Sequence, residues 1–165
     1  MILLSCPSTG SSAKASSVLD KNAKLYGPTN ALDLDNASTS WYSIGNEGGS
    51  GTFFIVRFHR RVYIRELKIQ FQGGFAGEKC IVSTATTTNL GGLSPSCWTE
   101  LGHLELEPED TNEVQSFDLT DGKGDDDNRL YCTNVKIGFD DFTDFYERII
   151  VYTLEVLGNE DSNES

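Results

Sequence analysis

The chain has little positive charge. Its 165 residues include 13 lysines and arginines against 25 aspartates and glutamates, which gives a net charge of −12 and a pI near 4.4. Proteins hold a phosphate backbone through Lys and Arg, which release its counterions, so this composition argues against direct binding of nucleic acid or of an anionic membrane surface. The sequence also lacks any apolar run approaching the roughly 20 residues of a membrane-spanning helix.

Cysteine is scarce and irregularly spaced. The four residues are Cys6, Cys80, Cys97 and Cys132. Because no Cys-x-x-Cys pair occurs, a zinc knuckle or a thioredoxin-type redox site is disfavoured. The N-terminus has neither the basic region nor the apolar core of a signal peptide. We therefore expect four free thiols and a location in the nucleus and cytoplasm, without secretion.

Catalytic patterns are missing as well. The sequence has no glycine-rich phosphate loop and no Gly-x-Ser-x-Gly elbow, and its two histidines, His59 and His103, lie in unrelated contexts. We predict that the protein is not an enzyme and that it works by binding.

Short runs of aromatic and β-branched residues separated by turn-rich segments make up most of the chain. Val62–Phe71 changes its apolar phase near Arg65–Glu66, which indicates a β-bulge. Pro28–Leu32 is the one predicted helical turn. The pattern predicts an all-β sandwich or barrel. The other predicted strands are Thr52–Phe58, Cys80–Ser83, Glu100–Leu106, Val114–Leu119, Leu130–Phe139 and Arg148–Leu157, the last of them central.

One domain is expected over residues 1–158, with a disordered acidic tail at residues 159–165. Gly45–Gly51, Thr84–Ser96 and Gly122–Asn128, which contains three consecutive aspartates, are predicted loops. Trp41 is expected in the core, whereas Trp98 fits either a core or a surface position.

Asp33, Asp35 and Thr39 form the best metal candidate. Several oxygen ligands converging on one loop suit a hard cation such as calcium. The alternative is a polar turn in which Asp side chains bond to their own backbone. No other cofactor is expected.

Two loops are candidate partner-binding surfaces. The first contains Gln72, Gly73, Gly74 and Phe75, where two glycines permit a sharp turn after a strong strand. The second is the aromatic and acidic segment Asp140–Tyr146, which precedes the last predicted strand. Such loops either contact a partner or fold inward to cover the core, and the sequence leaves both open. In the second loop the candidate residues are Asp144, Phe145, Tyr146 and Arg148.

Three segments resemble the opening of coagulation factor V/VIII type C (discoidin) domains: Ala15–Leu19, Ala31–Asp33 and Thr39–Trp41. An intracellular, nuclear-receptor-associated branch of this family is closer, and residues 67–75, 108–110, 144–152 and 154–158 carry that similarity. The resemblance implies a galactose-binding-like jelly-roll β-sandwich of about eight antiparallel strands.

The sequence departs from the family at several points, and its segments at Thr84–Ser96 and Gly122–Asp127 are longer than in the family. Cys6 has no cysteine partner in the last strand, so the terminal disulfide of secreted members is not expected. Thr153 stands where calcium-binding relatives place an acidic side chain. The spacing from Asp33 to Thr39 is one residue longer than in those relatives.

The resemblance implies an intracellular protein-interaction module. Its partner would be a nuclear receptor or another basic protein, and it would repress transcription by occluding the receptor. One alternative is an adaptor subunit of a ciliary or other multiprotein assembly. The other is a lectin-like carbohydrate-binding domain.

Overall fold

A computed structural model describes residues 1–35, 39–46, 51–86, 99–120 and 131–160, with the backbone alone for residues 99–103. The longest strand in these ranges is β4 (Thr52–Phe71), which joins the two halves of the sheet. Cys97, Trp98, the aspartate run at residues 125–127 and most of the loop at residues 84–96 lie outside the described residues.

Nine strands and two short helices are described. The helices are α1 (Ala23–Tyr26) and α2 (Thr29–Leu32), preceded by 3-10 turns at Pro7–Thr9 and Leu19–Lys21. No helix in the described ranges is long and apolar enough to cross a membrane. The remaining strands are β1 (Ile2–Leu3), β2 (Ser12–Ala15), β3 (Trp41–Tyr42), β5 (Gly77–Ala85), β6 (Thr99–Leu106), β7 (Val114–Asp118), β8 (Tyr131–Phe142) and β9 (Ile150–Glu160).

All pairings are antiparallel, and the main order is β1-β9-β4-β8-β5-β6. The first half of β4 pairs with β2 and β8, whereas its second half pairs with β9 and β7. β3 pairs with β9 at the edge of that second half. The architecture is the β-sandwich expected from the strand pattern.

The core lies between the inward faces of these strands. Alternation along much of β4 and β8 directs apolar side chains into this core, and Trp41 packs edge-on against Phe54 at 5.3 Å between ring centroids. The Trp41 indole N–H donates to Ser17 O at 2.9 Å, so its one polar atom is satisfied. Trp41 is therefore a core residue, as predicted.

Two register shifts in the β4–β9 pairing set the direction of side chains near the ends of both strands. The shift between Ile64 and Glu66 confirms the predicted bulge. A second one, between Gln70 and Phe71, lets β9 skip Tyr152. Strict alternation along β9 would put Ile150 on the face of Leu154 and Val156, but the bulge brings Val151 into the core cluster in its place.

The chain ends are joined by polar contacts rather than by a disulfide. Arg60 donates from Nε to Glu160 Oε1 at 2.8 Å and from its other nitrogens to backbone oxygens that include Leu4 O and Phe58 O. The predicted tail boundary is also wrong, since β9 continues through Asn159 and Glu160, which pair with β4. Residues 161–165 lie outside the described residues.

Candidate functional site

The turn at residues 72–75 reverses the chain between β4 and β5. Gly74 has φ +89°, a backbone conformation that favours glycine, and the Phe75 N–H donates to Gln72 O at 3.0 Å. Ile150 brackets the turn, because its N–H donates to Phe75 O and its carbonyl accepts from Gln72 N–H. The turn is therefore fixed to the start of β9.

A second segment, residues 109–113, holds the outer side of this turn. Asn112 Oδ1 accepts from Gly73 N–H at 2.7 Å, and Asp110 Oδ1 accepts from Gly74 N–H at 2.8 Å. Two consecutive backbone donors thus have side-chain partners, which stabilises a turn that is itself half exposed.

The connection between β8 and β9 contains the most exposed aromatic residues of this region. Phe145 is 89% exposed and Tyr146 is 54% exposed, and their rings meet edge-on at 5.2 Å between centroids. Phe145 and Tyr146 of the predicted loop therefore point outward, whereas Phe142 packs against the core. Neighbouring exposed aromatic side chains indicate a contact surface, whereas a single exposed leucine is common on protein surfaces.

Arg148 and Asp144 fix the shape of this connection. Arg148 Nε donates to Asp144 Oδ2 at 2.7 Å and Nη2 donates to Oδ1 at 3.2 Å, while the Arg148 backbone N–H donates to Oδ2 at 3.1 Å. The guanidinium hydrogen bonds lower the pKa of the Asp144 carboxyl below its usual range. The carboxylate is thus ionised at neutral pH and neutralises the arginine beside it.

The two predicted loops meet at Arg148. Its Cζ atom lies 5.2 Å from the ring centroid of Phe75 and 5.2 Å from that of Tyr146. Both distances are within the range of cation–π attraction. The surface formed by the exposed Phe145 and Tyr146 together with the half-buried Phe75 and Arg148 is called the aromatic platform below.

Gly45, which we did not single out from the sequence, supports the platform from behind. A Cβ atom at this position would lie 2.2 Å from Tyr146 O and 2.7 Å from Arg148 Cγ, and its φ is +79°. The neighbouring Ser43 exchanges hydrogen bonds with Ile149, one of them from Ile149 N–H to Ser43 Oγ at 2.8 Å. The sequence shows only that Gly45 begins a glycine-rich loop. That position does not indicate a close approach to Tyr146 and Arg148.

The metal candidate residues lie elsewhere, at the end of α2. Asp33 and Asp35 are exposed, and Asp33 Oδ1 accepts from Asp35 N–H at 3.2 Å, as in the alternative polar turn. Thr39 is half-buried just before β3. Within the part of the chain that the structure describes, no three His, Cys, Asp or Glu side chains come close enough together to hold a metal. The calcium site at Asp33, Asp35 and Thr39 stays a prediction, which calorimetric titration with calcium chloride would test.

The described cysteines are free thiols. Cys80 and Cys132 are buried, and desolvation raises the pKa of each to about 12. Cys6 is half-buried, and a hydrogen bond with Ser8 Oγ at 2.8 Å lowers its pKa.

Comparison with known proteins assigns the chain to a family. No family model matches the chain. The nuclear receptor 2C2-associated protein of zebrafish is 35% identical over 159 residues, covering 96% of each chain. The chain belongs to the nuclear receptor 2C2-associated protein family. The human member is 31% identical over 156 residues, covering 94% of this chain and 95% of the human protein.

Solved structures support the fold assigned to this member of the nuclear receptor 2C2-associated protein family. The F5/8 type C domain of a Bacteroides fragilis protein has a TM-score of 0.66 at 10% identity, covering 92% of this chain and 93% of that domain. A family 32 carbohydrate-binding module of Clostridium perfringens, solved with GalNAc-β-1,3-galactose, has a TM-score of 0.68 at 14% identity, covering 95% and 100%. The fold is therefore the discoidin-like, galactose-binding-like β-sandwich that the resemblance implied.

Proposed function

We propose that this protein is a non-catalytic interaction module that binds a nuclear receptor through the aromatic platform. The observation that carries the proposal is the exposed Phe145–Tyr146 pair, whose Tyr146 ring lies beside Arg148, which is itself fixed by the two-point ion pair with Asp144. Aromatic residues and arginine are enriched among the residues that dominate binding energy at protein interfaces. The relatives are named for their association with nuclear receptor 2C2, which supports the choice of partner.

The mechanism of this module is occlusion. It docks on the receptor in the nucleus or cytoplasm and blocks the receptor's contacts with DNA or with other proteins, which represses transcription. A net charge of −12 favours a basic partner and speeds association at low ionic strength. No group-transfer chemistry is required of the chain.

Binding of purified nuclear receptor 2C2 to the full chain, measured over a range of salt concentrations, tests this function. We expect a complex whose association rate falls as salt is added, because exposed charges are screened. A reporter gene driven by the receptor should be repressed by the wild-type chain and not by a Phe145→Ser variant. Absence of binding at low salt would contradict the proposal.

A carbohydrate-binding role is the second candidate, since solved neighbours hold sugars and an exposed aromatic ring is a feature of such sites. Two observations weaken it here. Arg148 and Asp144 direct their hydrogen bonds at each other, and the flanking turn directs its backbone donors at Asp110 and Asn112. A glycan array that includes galactose and N-acetylgalactosamine decides between the two, since the receptor-binding account predicts no sugar ligand at the platform.

A further inference from the structure

The exposed apolar surface continues from the aromatic platform onto the edge strand β3. Tyr42 of β3 pairs in register with Ile150 of β9, and Ile150 is hydrogen-bonded through its N–H to Phe75 O. One residue of β9 therefore separates Tyr42 from the platform. The Tyr42 ring is in turn packed at 4.9 Å against the ring of Tyr26.

Ile44 lies between Tyr42 and the part of the platform formed by Tyr146 and Arg148. It is 53% exposed, and it lies between Ser43, which is hydrogen-bonded to Ile149, and Gly45, which touches Tyr146 and Arg148. Trp41 and Ser43 are buried, whereas Tyr42 is half-buried and Ile44 is exposed, so Ile44 continues the outward side of Tyr42 beyond the end of β3. Tyr26, Tyr42 and Ile44 are called the β3 extension below.

The charged residues next to this surface are mostly carboxylates, with Lys79, which pairs in register with Asp140, and Lys24, in α1 with Tyr26, as exceptions. Arg148 is neutralised by Asp144, while Glu147 is exposed in the same loop and Asp110 is exposed beside the turn at residues 72–75. Asp140 and Asp141 are exposed at the end of β8, next to the β8–β9 connection. An apolar centre with a carboxylate rim is complementary to apolar side chains flanked by cations.

We propose that the platform and the β3 extension together form one docking surface for a polypeptide segment whose apolar side chains are flanked by lysine or arginine. This inference rests on the proposed function and names the chemistry of the partner segment. The apolar side chains cover the aromatic rings and Ile44, and the lysines or arginines face the carboxylates of the rim. Both parts of the surface are needed for full affinity.

Two 12-residue peptides with the same leucine positions, one with lysine and one with glutamate at the remaining positions, are suitable probes. Each is titrated into the 15N-labelled full chain. We expect the lysine peptide to shift the backbone amides of residues 42–46 and 144–148 together, and the glutamate peptide to shift neither. Ile44→Ser should weaken the lysine peptide by about tenfold, the usual scale for truncating a central interface residue. Ile81→Ser is the matched control, since Ile81 is 37% exposed in the middle of β5, outside both parts of the surface, and should have no effect.

Equal binding of both peptides, or shifts confined to residues 144–148, would overturn the inference. The receptor assay separates this failure from failure of the proposed function. If Phe145→Ser abolishes receptor binding while Ile44→Ser leaves it unchanged, the proposed function stands and the inference is wrong. If the receptor does not bind but the lysine peptide occupies both parts, the inference stands and the receptor assignment fails.

Discussion

Arg148 and Asp144 form a two-point ion pair across four residues, with Nε 2.7 Å from Oδ2 and Nη2 3.2 Å from Oδ1. Paired hydrogen bonds of this kind fix orientation as well as distance. The pair holds the guanidinium between the rings of Phe75 and Tyr146. A single arginine thus connects the two loops that carry the aromatic platform.

Arg148→Met should raise the pKa of Asp144 toward the ordinary aspartate value of about 4 and weaken receptor binding. In the wild-type chain this pKa is lowered, so the contribution of the ion pair is present above about pH 4 and is lost as the pH falls through the folded-state pKa. An NMR titration of the Asp144 carboxyl measures both states. An unchanged pKa in the variant would show that the ion pair does not form.

Gly45→Ala should destabilise the protein and disturb the platform. The new Cβ atom would collide with Tyr146 O, and the left-handed backbone costs a non-glycine residue about 1–2 kcal/mol before any clash. Urea denaturation measures the loss, and the amides of residues 144–148 should shift.

Gly138→Ala is the matched control for that substitution. Its Cβ would have only Ile81 O within 4 Å, at 3.8 Å, and its φ is not in the left-handed region. We expect a change within about 0.5 kcal/mol of zero. Equal effects of the two alanines would remove the special role assigned to Gly45.

Arg60→Met should lower the free energy of unfolding by about 1–3 kcal/mol, because several carbonyl oxygens lose a charged donor at a mostly buried position. Hydrogen exchange should accelerate at residues 2–5, which this side chain ties to β4. Lys79→Met is the control, since its 3.4 Å ion pair with Glu105 is exposed and worth little. If the two variants are equally stable, the chain ends are held by backbone pairing alone.

Thiol labelling of the native protein should distinguish Cys6 from the two buried cysteines. Hydrogen bonding lowers the pKa of Cys6, whereas burial raises that of Cys80 and Cys132 to about 12, so little thiolate forms at the latter two at neutral pH. Iodoacetamide should modify Cys6 before it modifies Cys80 and Cys132, which should react only after denaturation, and peptide mass spectrometry identifies the modified residues. Ser8→Ala should slow the reaction of Cys6. Rapid labelling of Cys80 in the folded chain would contradict the assigned packing.

Much of the fold follows from alternation along single strands. The phase change at Arg65–Glu66 could be predicted because clear apolar alternation both precedes and follows it in the sequence. The bulge at Tyr152 could not, because Ile149, Ile150 and Val151 are all apolar and fit either phase. Strands β1 and β3 are two residues long, which is too short to show a period.

The candidate site was predicted in part for a related reason. Its two loops were recognisable from their own composition, and the structure brings them together at Arg148. The contribution of Gly45, Ile44 and Tyr42 depends on β3 pairing with β9, a contact between residues more than 100 positions apart. Nothing local to residues 42–45 specifies that pairing.

The most direct test of the receptor-binding account is the dissociation constant of the full chain for purified nuclear receptor 2C2, compared between the wild type, Phe145→Ser and Tyr131→Ser. Phe145 is 89% exposed, so its replacement should leave the fold intact, and Tyr131 is a 39% exposed aromatic residue at the start of β8, outside the platform. We predict that Phe145→Ser raises the dissociation constant by about tenfold or more and that Tyr131→Ser leaves it unchanged. Equal dissociation constants for all three chains would contradict the account.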